Sequence, residues 1–196
     1  MANAGQTQIH EDDVLAAAYV CFTRHGVRRT TIGDIAAELG RTRPVVYRFV
    51  TDKNDAFRKV AGGLLAGALE QARAAATDRT RTTSARVLGI LTVKLGVAVR
   101  LHRDSPHHAD ALLAEDRGLV ADVAQSYLQA LTELVVAALV EVLPEQAAQE
   151  RAQILLALTR GLETDLTDPD QAHRYLRTAV ELICPDTHHG AHIPPS

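Results

Sequence analysis

The chain has 196 residues and is 46% hydrophobic but only 4% aromatic, with no Trp. That is enough apolar matter for an aliphatic, alanine-rich core without a metal or disulfide staple. A net charge of −3 excludes a strongly basic polyanion binder, and the longest uncharged apolar runs, such as 60–69, are too short to span a membrane.

The charge is unevenly spread. Residues 1–60 carry nine Lys/Arg against seven Asp/Glu, which leaves twelve against seventeen for the rest. The excess of acid over base therefore sits away from the N-terminal third. The opening MANAGQTQIHEDD is polar and acidic, which argues against a signal peptide. Cys21 and Cys184 lie far apart in apolar helical patterns, which argues against a disulfide and for a reducing cytoplasm. Few stretches alternate with period two, so the expected class is all-α, with no sheet.

In chain order, the first informative stretch is TTIGDIAAELGRTRPVVYRFVTDKNDAF, from Thr30 to Phe57. Thr31 and Asp34 form a Thr-x-x-Asp start, with the hydroxyl placed to accept from an orphan amide. Ile32, Ile35, Ala36 and Leu39 make one apolar face, and Gly40 stands where a left-handed residue ends the helix. Thr42 is the next cap, Pro44 falls in the first turn, and 45–49 complete about two turns. Asp52 caps a third helix that begins at Lys53. Two short helices around a tight turn lay the second one in the DNA major groove. Arg41, Thr42, Arg43, Tyr47 and Arg48 are the hydrogen-bonding side chains on and beside it. Arginine forks suit guanine edges and phosphates, while hydroxyls hold the backbone in register.

Beyond residue 60 the pattern is helix after helix. The Lys53 helix carries Phe57, Val60, Ala61, Leu64, Leu65, Ala68 and Ala72 until the polar run 77–83. Helices are then expected at 84–103, 107–115, 119–143, 144–163 and from a cap at Asp168 to about Cys184. The tail from 185 has no core-forming pattern and is expected to be disordered. The domain expectation is a head at 10–59 and a larger helical domain at 60–184, about nine helices in all. Such a helix stack can enclose a ligand between its helices. Leu65, Leu91, Leu95, Leu112, Val123 and Tyr127 are the candidate lining for an apolar, aliphatic or flexible effector. Arg100, Asp116 and Glu163 are candidates to orient a polar end.

The histidines support a competing hypothesis, a helical metal-dependent enzyme using His102, His107 and Asp110. Against it, His107 and His108 are adjacent and point apart on a helix, and only His107 and Asp110 share a face. No Ser-His-Asp or Cys-His arrangement and no glycine-rich phosphate loop is readable, so no catalytic residue, metal or cofactor is expected.

The N-terminal third resembles the tetracycline-repressor (TetR) family of transcriptional regulators. The match runs through Val14-Leu15-Ala16-Ala17-Ala18, Cys21-Phe22, Gly26, Thr30-Thr31, Asp34-Ile35-Ala36, Leu39-Gly40, the block from Thr42 to Phe49, and Lys53. The resemblance implies that Thr31, Thr42, Arg43, Tyr47 and Lys53 touch DNA phosphates, and that Arg41, Val45 and Arg48 lie close to bases. It also implies an effector domain and a homodimer held by helices at 145–163 and 168–183. Leu155, Leu156, Leu158, Leu162, Leu176, Val180 and Ile183 are the candidates to bury that interface. Arg41 stands where a small apolar residue is common, and Val50 where an aromatic is common, which suggests looser packing under Phe49. The partners so implied are a double-stranded operator, a small-molecule effector and a second copy of the chain, with no membrane. The implied role is a ligand-responsive regulator, most often a repressor, not an enzyme.

Overall fold

The structure, a computed structural model, describes residues 8–105 and 117–184. Within them all regular structure is helical: α1 (Glu11–His25), α2 (Ile32–Glu38), α3 (Arg43–Val46), α4 (Lys53–Thr77), α5 (Thr83–Asp104), α6 (Arg117–Leu139), α7 (Glu145–Leu162) and α8 (Pro169–Ile183). The helix expected at 107–115 lies outside the described residues, as does the tail. None of the described helices is long and apolar enough to cross a membrane.

Two compact units divide the chain. One comprises 1–65 and 101–124, the other 66–100 and 125–196, so α4, α5 and α6 each contribute to both. In the first unit, α1 packs on α2 and α2 on α3. Val14, Ala18, Cys21, Phe22, Ile35, Val46, Val50 and Ala56 form its sealed centre. Phe22 and Phe57 meet edge to face, centroids 5.4 Å apart at 86°, a geometry the ring quadrupoles favour. Val50 is buried in this core, and Phe49 beside it is half-buried. Burial, with Glu38 and Asp34 behind it, pushes the Cys21 thiol up, so this cysteine behaves as a small apolar residue.

The second unit has an aliphatic core of Val87, Ile90, Leu91, Leu95, Leu131, Val135, Leu139, Leu155 and Leu176. α7 and α8 pack on each other. Two element ends differ from expectation. α6 stops at Leu139, short of 143, and Pro144 is the N-cap of α7 and stands outside its first turn. A proline drives the residue before it out of the helical region, so the chain must leave α6 before reaching it. Asp168 caps α8 as expected, its carboxylate accepting from Gln171 N at 2.9 Å. Two cations are buried in this unit. Arg86 and Lys94 are 4% and 5% exposed and are paired with Glu141 and Glu163.

Candidate nucleic-acid interface

The segment from α2 to the start of α4 is fixed at both ends by local chemistry. Thr31 caps α2 through a reciprocal box: its hydroxyl accepts from Asp34 N at 3.2 Å, and its own N–H donates to Asp34 Oδ2 at 2.8 Å. The Thr31 hydroxyl and N–H hold the Asp34 carboxyl below the usual carboxylate range, with the nearby Arg43 charge contributing less. Its neighbour Thr30 has a different task. It is wholly buried, and its hydroxyl donates to the carbonyls of Cys21 and Gly26, locking the α1–α2 loop.

The turn after α2 is a Schellman motif. Gly40 sits at φ +65°, Gly40 N donates to Ala37 O, and Arg41 N to Ala36 O. This geometry ends α2 and redirects the chain into α3. α3 is a single turn, Arg43–Val46, and 47–50 continue as hydrogen-bonded turns instead of a second helical turn. Thr42 is its N-cap, but its hydroxyl makes no cap bond. Asp52 then caps α4, accepting from Asn54 N and Asp55 N at 2.8 Å each.

On this frame the expected contact residues divide into three groups. Thr42, Arg43, Arg41, Tyr47 and Arg48 are exposed, and Tyr47 is 55% exposed. Arg41 Nη1 rests on Gly40 O at 3.1 Å, and the Arg48 guanidinium lies 5.7 Å from the centre of the Phe49 ring. The Arg43 fork folds back across α2, so close to Gly33 that a β-carbon there would lie 2.7 Å from Nη2. Val45 is half-buried, which leaves part of it toward any ligand of this face. Thr31 and Lys53 are the third group, already occupied. Lys53 Nζ donates to Val27 O at 3.1 Å and Arg28 O at 2.7 Å, so it first holds the α1–α2 loop. Exposed Arg28 and Arg29 on that loop add positive charge beyond the residues expected from sequence. The adjacent arginines immediately before the capping threonines were the available signal.

The head is tied to other parts of its own unit. The Tyr19 hydroxyl donates to Asp104 Oδ2 at 2.6 Å, and Ser105 Oγ to Thr23 O at 2.9 Å. Arg58 donates to Leu119 O at 3.0 Å and grips both oxygens of Asp122. The end of α5 is thus fastened to α1, and the start of α6 to α4.

The remaining candidates are scattered. Leu91, Leu95 and Tyr127 are buried in the second unit, Leu65 and Val123 are half-buried in the first, and Leu112 and Asp116 lie outside the described residues. Of the expected dimer residues, Leu155, Leu156, Leu176 and Val180 are buried in the chain's own core, and Leu158, Leu162 and Ile183 are half-buried. The large exposed apolar side chains of α7 and α8 are instead Ile154 at 54%, Tyr175 at 56% and Leu182 at 77%. A leucine-rich helix has more than one apolar side, and the monomer's core has claimed the larger. His107, His108 and Asp110 fall outside the described residues, and His102 Nδ1 is buried without a partner. Among the described residues no three His, Cys, Asp or Glu side chains could hold a metal.

Residues 14–60 match the model of the bacterial regulatory proteins of the tetR family. Comparison with curated protein sequences finds no match. Among solved structures, the chain is similar to PfmR, a TetR family transcriptional regulator from Thermus thermophilus, at 15% identity and TM-score 0.62, covering 94% of this chain and 100% of that one. It is similar to SmeT in its triclosan complex at 20% identity and TM-score 0.67, over 94% and 99% of the two chains. SmeT is the repressor of the Stenotrophomonas maltophilia multidrug efflux pump SmeDEF. The fatty acid degradation regulator FadR of Bacillus halodurans matches at 14% identity and TM-score 0.68, over 95% and 100%. The head of this chain thus matches the tetR family of bacterial regulatory proteins, and its fold is similar to that of TetR-family transcriptional regulators.

Proposed function

We propose that the chain is a ligand-responsive transcriptional repressor that binds its operator as a homodimer and leaves it when a small apolar effector binds. The observation that carries this is Tyr47. A large aromatic side chain stands 55% exposed on the same short segment as exposed Arg41, Arg43 and Arg48, and the caps and turn of that segment fix its direction. An exposed aromatic hydroxyl accompanied by guanidinium groups suits a phosphate backbone. Thr42 and Tyr47 take phosphates, Arg43 and Lys53 add charge, and Arg41, Val45 and Arg48 face base edges. Thr31 serves chiefly by holding the amide end of α2 in place. The head proposed is 10–59 and the effector and dimer domain 60–184.

The effector half of the proposal draws support from SmeT, which forms a complex with triclosan, and from FadR as a regulator of fatty acid degradation. An effector held near Leu91, Leu95 and Tyr127 would act on the head along α4, α5 and α6, whose far ends are fastened there by Tyr19–Asp104, Thr23–Ser105 and Arg58–Asp122. The dimer forms through the outward side of α7 and α8, with Ile154, Tyr175 and Leu182 at its centre. Two heads then sit roughly 34–36 Å apart, one turn of DNA. The chain works by binding and not by catalysis, in the cytoplasm.

Selection of bound fragments from random DNA tests the proposal. A palindromic site should emerge, and Arg43→Ala or Tyr47→Ala should each weaken binding to it by about 1–3 kcal/mol while leaving the melting temperature unchanged. Affinity should fall linearly with log salt, by about 0.9 per phosphate contacted. No enriched site, or a flat salt response, would refute the docking proposed.

A further inference from the structure

The second unit holds a polar island inside its aliphatic core. Lys94 on α5 is 5% exposed, and its Nζ donates to Glu163 Oε1 at 2.5 Å at the end of α7. Tyr127 on α6 is 8% exposed, and its hydroxyl has no hydrogen-bond partner. Burial, with the Glu163 charge behind it, pushes the Tyr127 hydroxyl up to about 12, which puts the phenol within electrostatic reach of the pair, and Leu91, Leu95 and Leu131 of the same unit are fully buried. Three helices thus bring an ammonium, a carboxylate and a phenol into a region that packing alone would fill with carbon.

Neither feature is an efficient way to stabilise a fold. A buried ion pair roughly breaks even against an apolar pair of equal volume, because desolvation cancels most of the attraction. A buried hydroxyl without a partner costs free energy outright. Unpaired buried polar groups in native proteins call for an explanation, and binding of an outside group is one. The chemistry then limits what can bind. Lys94 and Glu163 balance each other, so a charged head group would enter with no counter-ion and would lose its hydration for nothing. An uncharged oxygen loses little. It accepts from the Tyr127 hydroxyl, and an alcohol can donate in turn to Glu163.

We infer that Tyr127 is the specificity-determining donor for the effector, and that the effector is an uncharged, mainly aliphatic molecule with one hydroxyl or carbonyl head held beside the Lys94–Glu163 pair. This rests on the effector reading above, so binding is measured without DNA and stands apart from operator release. The probes are 1-decanol, 2-undecanone, decanoate and decylamine, added to the full-length protein in calorimetry and thermal melts. The two uncharged probes should bind and raise the melting temperature. Tyr127→Phe should bind them about tenfold more weakly, the worth of one neutral hydrogen bond left unmade. Unliganded, the same variant should melt at or above the wild-type temperature, since no bond within the protein is lost. Glu163→Gln removes the charge balance and should let decanoate bind. The inference is overturned by equal affinity of wild type and Tyr127→Phe, by no binding of either uncharged probe, by decanoate or decylamine binding the wild type more tightly than 1-decanol, or by a lower melting point of unliganded Tyr127→Phe. Release of the selected operator by 1-decanol bears on the regulator reading alone.

Discussion

Glu141→Gln should undo the second unit's best-defined electrostatic knot, and its cost should depend on acid. Arg86 is 4% exposed, and its fork meets both Glu141 oxygens, at 3.1 and 2.5 Å, while Arg79 donates to Oε1 at 2.5 Å. Arg86 also reaches Ala76 O at 3.2 Å and Thr83 Oγ1 at 3.1 Å, so it binds the end of α4 to the start of α5. The Arg86 hydrogen bonds, with Arg79 behind them, hold the Glu141 carboxyl down from 4.5 to about 2. Sealed from water, that drop would correspond to about 3 kcal/mol. About a third of the Glu141 side chain is exposed, and solvent screening brings the figure to about 2 kcal/mol. For a chain of this length the melting temperature should fall by about 4–8 °C at pH 7.

The sign with pH follows from a lowered carboxyl. Above 4.5 the group is ionised in both states and the full stabilisation is present; as pH falls, the unfolded chain takes up its proton first. The difference between wild type and Glu141→Gln should therefore shrink through this window, to about two-fifths at pH 3, and nearly vanish by about pH 2. Denaturant melts at pH 7, 4.5 and 3 measure it. In an Arg86→Met background the same substitution should cost almost nothing, because no buried cation is left unpaired. A gap unchanged between pH 7 and 3, or a cost under about 0.5 kcal/mol at pH 7, would refute the argument.

Gly40→Ala should cost about 1 kcal/mol in urea unfolding. A β-carbon there meets nothing within 4 Å, so the whole cost is the left-handed φ of +65°. Operator affinity should fall further than stability does, because the same turn aims α3. Gly63→Ala and Gly67→Ala lie in open positions on α4, on either side of the point where that helix passes from one unit to the other. Each should raise stability by about 0.5–1 kcal/mol, and together they should weaken effector-driven release in a mobility-shift titration, because a stiffer helix resists bending. Unchanged release would remove α4 from the signalling route. Leu182→Glu, at a position 77% exposed, should leave the melt of the monomer intact but shift sedimentation to half the mass and abolish operator binding. A variant that stays dimeric would place the dimer face elsewhere.

The local devices were legible because their chemistry closes within a few residues. Thr31, Gly40, Asp52 and Asp168 each satisfy or redirect backbone groups within five positions, so residue type and spacing suffice. The long-range choices were not legible. Arg86 and Lys94 look like surface cations until their carboxylates, 55 and 69 residues further on, come alongside. On α7, Ile154 and Leu155 are equally plausible at helical spacing, and only the packing of α8 decides that Leu155 turns inward. The resemblance assigns Lys53 to phosphate, and no local pattern reveals that its ammonium also reaches carbonyls 25 and 26 residues earlier, at Arg28 and Val27.

The folded-back Arg43 gives the head a resident rival for its own ligand. Its guanidinium lies over Gly33 and adds a weak pull on the Asp34 carboxylate, so on the docking proposed above a phosphate would compete with that carboxylate for the fork. Stray polyanions that offer one loose contact gain little by drawing the fork away. A correctly spaced duplex, engaging both copies at several points together, loses only a small part of its advantage to the same competition. Selectivity of this kind weakens affinity everywhere and matters most where binding is weakest, which would suit the operator reading proposed above.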